Sequence, residues 1–326
     1  MINFKKIFAL VLVCAMVASL AACGKGDNAT TTVPAAMEGE TVPPMQIPDI
    51  DRGNEKINVV APDSYDGVAY YRISIDRSYA YNIAVDGITS ASAAEKLRNG
   101  EADVAVVSLE DAAKLASEGG VKILAVNSVT KISLLENGNT IKNINDLSGK
   151  TVYCDVAVQA VVKAIFADNG VSSNFVFSTV EEIEAKMESG EASLCVFAEP
   201  DATRIAAENE GFAKKADLTA GWTKDYVPVK SCIVADASYA EANPEKIKEF
   251  LDHAEMGINY IAGEAGYSSI ALELANGGYV ASAELTRDMI AACGSVYLDG
   301  EEMQTAIAGY CDFLAKKGVE ITAPQF

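Results

Sequence analysis

Apolar residues fall along this chain in short continuous runs, which alternate with stretches where apolar positions recur every three or four residues. The runs suit strands of a sheet covered on both faces, and the periodic stretches suit amphipathic helices. From residue 56 onward the pattern predicts strands over 56–61, 80–85 and 121–126, and helices over 68–75 and 90–99. Regular alternation of strands and helices indicates an α/β fold.

A second set of alternating elements begins after the short turn at 146–150. Its strands are predicted over 151–154 and 175–177, and its helices over 156–169 and 180–189. A strand over 230–235 then leads to a region where the pattern predicts only helices, over 244–261, 268–275, 283–293 and 301–317. The chain therefore contains two α/β lobes followed by a helical C-terminal part.

Two segments ninety residues apart repeat one pattern without a gap. Residues 96–112 and 186–202 each read as a helix end, a glycine turn, a strand and a new helix start. Gly100 and Gly190 stand where a helix C-terminus needs a left-handed residue. Ligands of open parallel sheets bind outside the carboxyl ends of strands, so each copy directs a loop toward a predicted crevice. A chance recurrence of this common unit is the alternative explanation.

The N-terminal segment has the pattern of an export signal. Lys5 and Lys6 precede an apolar stretch over 7–17, and small residues lead to Cys23. Because the order Leu-Ala-Ala-Cys matches the bacterial lipoprotein signal, we expect residues 1–22 to be a signal peptide and Cys23 to carry lipid. Residues 23–54 are rich in Thr, Pro and Gly and have no apolar period, so they are predicted to be a flexible tether.

The charge of the chain excludes nucleic acid as a partner. Removal of the signal peptide takes away two lysines and no acid, which leaves 24 basic and 46 acidic residues and a formal charge of −22. The roughly 270 residues after the tether are enough for one large or two moderate domains. Cys154, Cys195 and Cys232 lie in apolar strands and are expected to be inert core thiols, whereas Cys293 and Cys311 are left open as a possible pair.

Motifs of enzymatic chemistry are absent from the sequence. His253 is the only histidine and has no catalytic partner among its neighbours, and no Cys/His spacing suits zinc. No P-loop, dinucleotide fingerprint or nucleophile elbow occurs. We therefore predict no cofactor, no metal site, no catalytic residue and no enzymatic activity.

The ordered motifs resemble those of substrate-binding proteins of ABC importers, in particular the nitrate/sulfonate/taurine and thiamine-pyrimidine group. They are the lipoprotein signal, NGEADVAVV at 99–107, DLSGKTV at 146–152, SGEASLCVFAEP at 189–200 and YAEANPEKIKEFL at 239–251. The resemblance implies a type 2 periplasmic-binding fold, with two α/β lobes, a hinge and a ligand cleft between them. Lobe 1 is predicted over 55–145 and 230–326 and lobe 2 over 146–229, with crossing segments near 135–150 and 222–232.

The resemblance also implies a function. The chain is expected to be a monomer held by its lipid anchor on the extracytoplasmic face of the cell membrane. There it would capture a small organic solute and deliver it to an ABC permease and its ATPase. Two alternatives are an enzyme of pyrimidine biosynthesis with the same fold and a ligand-sensing module for a membrane receptor.

The residues expected to bind the ligand lie at the turns that follow the strands, with one aromatic residue near a crossing segment. The acids at these turns oppose an anion and favour a cationic or amine-bearing solute, although a carboxylate at a helix N-terminus can also serve as a cap. Tyrosines could stack on a flat or cationic solute. A pyrimidine, an amine, a sulfonate and a flavin-like ring remain candidate ligands. The predicted ligand-binding residues are Asp63, Ser64, Tyr65, Ser108, Leu109, Tyr153, Asp155, Val156, Glu199 and Trp222.

Overall fold

The computed structural model describes residues 56–77, 80–85, 87–219, 226–278 and 280–319, together with 321 and 324. The predicted signal peptide and tether, the predicted lipid site Cys23 and the predicted binding residue Trp222 lie outside these residues. In the part of the chain that the structure describes, no helix has the length and hydropathy needed to cross a bilayer. The same residues contain no cluster of His, Cys, Asp and Glu side chains that could hold a metal ion.

The strands of the described residues form two sheets. Sheet 1 has the order β11-β4-β10-β3-β1-β2, in which β1 pairs in parallel with β2 and β3. In this sheet β10 is antiparallel to both β3 and β4. Its strands are β1 Ile57–Val60, β2 Tyr81–Ala84, β3 Val104–Ser108, β4 Val121–Val129, β10 Val229–Asp236 and β11 Gly294–Asp299.

Sheet 2 has the order β7-β6-β8-β5-β9. Its centre is parallel, because β6 pairs in parallel with β7 and β8, whereas β5 is antiparallel to β8 and β9. Its strands are β5 Ile132–Asn137, β6 Thr151–Asp155, β7 Asn174–Ser178, β8 Leu194–Ala198 and β9 Phe212–Asp217.

Helices cover both sheets, and their starts agree with the sequence signals. Thr89 and Thr179 each form a capping box with the residue three positions later. Gly100 and Gly190 have φ values of 72° and 78°, as the repeated pattern predicted. The helices are α1 Val68–Asp76, α2 Ser90–Arg98, α3 Leu109–Glu118, α4 Gln159–Asp168, α5 Val180–Glu188, α6 Asp201–Glu208, α7 Ala237–Ala242, α8 Pro244–Ala262, α9 Glu264–Asn276, α10 Ala283–Ala292 and α11 Gly300–Lys316.

The chain passes between the sheets twice, and the first passage comes earlier than predicted. It lies between Val129 at the end of β4 and Ile132 at the start of β5, whereas the sequence placed it near 135–150 and began lobe 2 at 146. The second passage joins β9 to β10. The two segments run side by side, since the Thr130 N–H donates to the Pro228 carbonyl at 2.7 Å.

Three strands were not predicted. The pattern left β5 and β9 unassigned, and it made the region of β11 part of a helical C-terminus. Each of them pairs antiparallel with a strand distant in sequence. Strand β5 pairs with both β8 and β9, and β11 pairs with β4. The local sequence pattern of these strands is weak, and pairing with distant strands decides their structure. The predicted α/β fold with two sheets is nevertheless confirmed.

The core is continuous between the two sheets near the crossing segments. One cluster of buried residues joins Val126 of sheet 1 with Leu134 and Cys154 of sheet 2. Two other clusters belong to one sheet each. The five cysteines of the described residues are free, including Cys293 and Cys311. The sheets are thus joined at one end, where the crossing segments pass.

Candidate functional site

The turn after β1 brings Tyr65 and Asp66 to the end of sheet 1. Ser64 begins the turn and accepts a hydrogen bond from the Asp66 N–H at 3.3 Å. Asp63 is exposed and accepts from the Gly87 N–H at 3.1 Å, so it fastens the neighbouring loop. Tyr65 is half-buried and donates its hydroxyl to Met289 Sδ at 3.3 Å. Of the predicted residues on this turn, Tyr65 therefore contacts α10, a helix distant in sequence.

Asp66 is held by a buried polar network at the ends of β4 and β10. Ser128 Oγ donates to Asp66 Oδ1 at 2.7 Å and lies 2.6 Å from Ser231 Oγ. The Asn127 side chain donates to Ser231 at 2.9 Å and to the Asp66 carbonyl at 3.1 Å, and it accepts from the Tyr70 hydroxyl at 2.9 Å. Because every member of the network has a partner, it fixes the position of the Asp66 carboxylate.

A lysine from the second crossing completes this side of the site. Lys230 Nζ lies 3.0 Å from Asp66 Oδ2, with 35% of the Lys230 side chain exposed. Burial alone lowers the pKa of Lys230, but the nearby Asp66, Cys293 and Asp201 raise it above its usual value. Burial also raises the pKa of the Cys293 thiol to about 12, so the thiol stays protonated. Lys230 is therefore a cation paired with Asp66.

Two carboxylates on the sheet 2 side, Asp155 and Asp201, act on each other electrostatically. Asp155 is buried at the end of β6 and accepts the Ala157 N–H at 2.9 Å through Oδ1. Its other oxygen, Oδ2, has no hydrogen-bond partner among the described residues. Burial raises the pKa of Asp155, and the charges of Asp201 and Glu181 raise it further. Val156 follows immediately and is 50% exposed. The end of β6 thus presents one carboxylate oxygen beside an apolar surface.

Asp201 begins α6 and brings the second carboxylate. Burial raises its pKa, and Arg204, whose guanidinium lies 3.3 Å from Asp201 Oδ1, offsets part of this effect. Burial also raises the pKa of Tyr65 on sheet 1, and the nearby Cys293 and Asp201 raise it further. In the same region α10, which carries Met289, packs against α6. The charge of Asp201 thus acts on Tyr65 and Lys230 of sheet 1 and on Asp155 of sheet 2. We call this set of residues, Tyr65, Asp66, Lys230, Asp155 and Asp201, the interlobe cleft.

Ser108 and Leu109 have structural roles at the start of α3. Ser108 Oγ accepts the Asp111 N–H at 3.1 Å and donates to the Asp111 carboxylate at 3.0 Å. Its own N–H donates to Ser90 Oγ at 2.7 Å. Leu109 is 3% exposed and packs in the core, because the first turn of α3 lies against sheet 1. Capping thus accounts for Ser108, and Leu109 does not reach the cleft.

Glu199 is buried and fully engaged within the protein. Its Oε1 accepts from Ser133 at 2.6 Å and lies 2.6 Å from Lys214 Nζ. Its Oε2 accepts the N–H and the hydroxyl of Thr203 at 3.1 and 2.8 Å. Glu199 also borders a cavity of about 290 Å³ that includes Lys131 of the first crossing. With both oxygens occupied, the carboxylate stabilises the start of α6.

The Tyr153 side chain extends toward Glu191, which precedes β8. It is 8% exposed, and its hydroxyl donates to Glu191 Oε1 at 3.1 Å. It borders a cavity of about 400 Å³ near the starts of β6 and β8. Tyr153 is in the middle of β6, and only the end of the strand reaches the cleft, where Asp155 lies. The structure therefore separates two residues that the sequence placed in one turn.

Asp201 and Lys230 complete the cleft but were not among the predicted binding residues. Asp201 sits inside the second repeat, one residue after the predicted Glu199-Pro200 turn, and only the fold shows that its charge acts on Tyr65. Lys230 interrupts the apolar strand β10, and Asn127 and Ser128 interrupt β4. Polar residues within otherwise apolar runs are the signal that could have identified this part of the site.

The raised pKa of Asp155 predicts a stability that depends on pH. Since the folded state holds this proton more tightly than the unfolded chain, the folded state loses stability as pH rises above the ordinary value of 3.8. Asp155→Asn keeps the bond to the Ala157 N–H and removes the charge. It should be more stable than wild type at pH 7, with the difference vanishing below pH 3.8. Urea denaturation across this pH range measures the effect.

Glu182→Gln is the matched control for this titration. The Ser178 hydroxyl and the Thr179 N–H bind the Glu182 carboxylate and lower its pKa, so its charge favours the folded state. Glu182→Gln should therefore lose stability at neutral pH and approach wild type in acid. An Asp155→Asn protein that is less stable than wild type at pH 7 would contradict the conclusion that burial raises the pKa of Asp155.

Comparison with known proteins places the chain in context. A family model described as NMT1/THI5 like matches residues 83–265, more than half of the chain. No curated protein sequence matches it.

Solved structures share the fold at low sequence identity. An ABC transporter structure from Parabacteroides distasonis has 17% identity and a TM-score of 0.66, covering 83% of this chain and 96% of that one. The periplasmic aliphatic sulphonate binding protein SsuA from Escherichia coli has 14% identity and a TM-score of 0.64, with coverages of 83% and 90%. The alkanesulfonate-binding protein SsuA from Xanthomonas axonopodis pv. citri, bound to MOPS, has 12% identity and a TM-score of 0.56, with coverages of 82% and 96%.

Proposed function

The chain belongs to the NMT1/THI5-like family, and from this premise we propose that it is an extracytoplasmic solute-binding lipoprotein serving an ABC importer. It captures a small organic solute between its two sheets and delivers the solute to a membrane permease that works with an ATPase. It acts as a monomer anchored by lipid on Cys23. Binding, not catalysis, is its chemistry.

The single observation that carries the proposal is the pair of carboxylates on the sheet 2 side of the interlobe cleft. Asp155 offers Oδ2 with no partner among the described residues, and the charge of Asp201 raises the pKa of Tyr65 of sheet 1. A cationic group would find two acidic partners there, and the Tyr65 ring adds a face suited to a cation or a flat ring.

The same charges argue against a sulfonate ligand. The structural relatives from Escherichia coli and Xanthomonas are named for binding sulfonates, but they share only the fold with this chain. A sulfonate placed beside Asp155 and Asp201 would meet two negative charges in a partly buried site, where repulsion is strong. An amine or an aminopyrimidine is therefore the solute class that we assign to the cleft.

A thermal-shift screen of the full chain in detergent tests this function. The panel pairs cationic solutes, namely thiamine, choline and agmatine, and the neutral 4-amino-5-hydroxymethyl-2-methylpyrimidine with a sulfonate that has no amine, methanesulfonate. A ligand present at a hundred times its dissociation constant should add about 2.7 kcal/mol to the free energy of unfolding. We expect this response from a member of the amine or pyrimidine group. A response from methanesulfonate alone would overturn the assigned class, and an absence of any response would count against the function.

A further inference from the structure

Three lysines line one cavity at the edge of sheet 2. They are Lys131 of the first crossing and Lys214 and Lys215 of β9, and the cavity has a volume of about 290 Å³. A water molecule takes up about 30 Å³ in the liquid, so this volume admits an ion of four or five heavy atoms. Ala292, at the end of α10, also lines the cavity, which therefore lies where the first crossing, β9 and α10 meet.

The acids of this cavity balance only part of the charge of its lysines. Lys214 Nζ lies 2.6 Å from Glu199 Oε1, and the remaining acceptor sites of that carboxylate are occupied as described above. Asp217 is the second acid of the lining, and its Oδ1 accepts the N–H and the hydroxyl of Thr219 at 2.8 and 2.6 Å. Three lysines and two carboxylates leave the lining with a net charge of +1, in a chain whose formal charge is −20.

Two of the three lysines lack a close carboxylate. Lys215 Nζ lies 4.0 Å from Glu136 Oε2 and 3.5 Å from Asn139 Oδ1, which are weak contacts for an ion pair and a hydrogen bond. No hydrogen bond or ion pair holds the Lys131 ammonium group within the described part of the chain. The Lys131 backbone is nevertheless fixed, since its carbonyl accepts the Glu199 N–H at 2.8 Å. Both side chains can therefore turn to a ligand without breaking a close ion pair.

The cavity is separate from the acidic end of β6. Its lining includes Ser133 of β5 and Asp217 of β9, which pair with each other in sheet 2. The strand order β6-β8-β5-β9 places them two and three strands away from Asp155. Neighbouring strands lie about 4.8 Å apart, so the backbones are separated by roughly 10 and 14 Å. A ligand in the cavity therefore has its own set of contacts.

We propose that this cavity binds a small divalent oxyanion of the phosphate or sulfate class. An ammonium group has three N–H donors, so Lys214 keeps one after its contacts with Glu199 and Thr203. Lys131 and Lys215 add further donors, and a tetrahedral anion offers a separate oxygen to each lysine. The bound anion supplies the negative charge that these two lysines lack and joins the first crossing to β9. The site goes beyond the proposed function, since it requires neither a cationic solute nor a permease.

Equilibrium dialysis of the full chain against radiolabelled sulfate tests the site. The protein is kept in a non-ionic detergent and Tris chloride at fixed ionic strength, and we expect one sulfate per wild-type chain. Lys131→Met and Lys215→Met should each weaken sulfate binding about tenfold, because each removes a hydrogen bond to a charged group. Neither variant leaves a buried acid without its close partner, whereas Lys214→Met would do so to Glu199 and is avoided.

Two further variants and two competitors make the test specific. Lys131→Arg keeps the charge and should retain most of the affinity for sulfate. Lys114→Met removes an exposed lysine of α3 and should bind sulfate like wild type. Unlabelled phosphate should displace the sulfate, and acetate should not. The proposal is overturned if wild type binds no sulfate, if Lys131→Met and Lys215→Met both bind it with wild-type affinity, or if acetate competes as well as phosphate.

The outcome is separable from that of the proposed function. If wild type binds sulfate but none of the solutes in the thermal-shift screen, the function fails and the anion site stands. If wild type responds to a cationic solute but binds no sulfate, the anion site alone fails. The response to a cationic solute should be the same in Lys131→Met as in wild type, because the cavity lies apart from Asp155. A methanesulfonate response belongs to the cavity only if Lys131→Met abolishes it.

Discussion

Asp155→Asn is expected to abolish the thermal stabilisation that a cationic solute gives to this protein. The variant removes the only full charge at the end of β6, and loss of one partner from a buried, hydrogen-bonded charge pair costs about 3 kcal/mol of binding free energy. That is a dissociation constant on the order of a hundred times weaker. At a solute concentration a hundred times the wild-type constant, the stabilisation should fall from about 2.7 to under about 0.5 kcal/mol.

The choice of asparagine separates the two roles that Asp155 can have. Its side-chain oxygen can still accept the Ala157 N–H, which Asp155 Oδ1 accepts at 2.9 Å, so the cap survives while the charge is lost. Asp155→Ala removes both. Glu188→Gln, at the exposed end of α5, is the matched control and should respond to solute like wild type. A full solute response in Asp155→Asn would return Asp155 to a purely capping role.

The fold was largely predictable because most elements carry their own signal. The strand at Val104–Ser108 and the helix at Pro244–Ala262 were both identified, the first by a continuous apolar run and the second by the Asn243-Pro244 start. The strands β5, β9 and β11 lack such signals, and their partners lie far away in the sequence. The position of the first crossing depends on β5, so its error follows directly from that omission.

The candidate site was predictable only where it coincides with strand ends. Asp155 and Tyr65 lie at the ends of strands that the pattern located, and both stay predicted members of the interlobe cleft. Tyr153 and Leu109 lie near such ends. Tyr153, however, is in the middle of β6, and Leu109 packs in the core at the start of α3. Lys230 was missed because its partner Asp66 is 164 positions earlier in the chain, and no local pattern reports an ion pair of that span.

Gly67→Ala should damage both stability and solute binding. A Cβ atom at Gly67 would lie 2.0 Å from the Pro62 carbonyl oxygen and 3.4 Å from Val85 Cγ1. Real atoms cannot approach so closely, and the obstacle is backbone, so either the turn or α1 must move. Overpacking of this kind costs about 1–3 kcal/mol, and more where the backbone cannot adjust. Since Tyr65 and Asp66 precede Gly67 in the same turn, the cleft is displaced with it.

Gly309→Ala provides the matched control because the same substitution meets open space there. Gly309 lies inside α11, and a Cβ atom at this position meets no heavy atom within 4 Å beyond its chain neighbours and the nearby backbone of its own helix. Alanine is a better helix former than glycine by up to about 1 kcal/mol, so this variant should gain stability. Urea denaturation with and without solute measures both variants. A Gly67→Ala protein with wild-type stability and binding would show that the turn after β1 yields easily, and Asp66 would then not be the rigid acid against which the cleft is built.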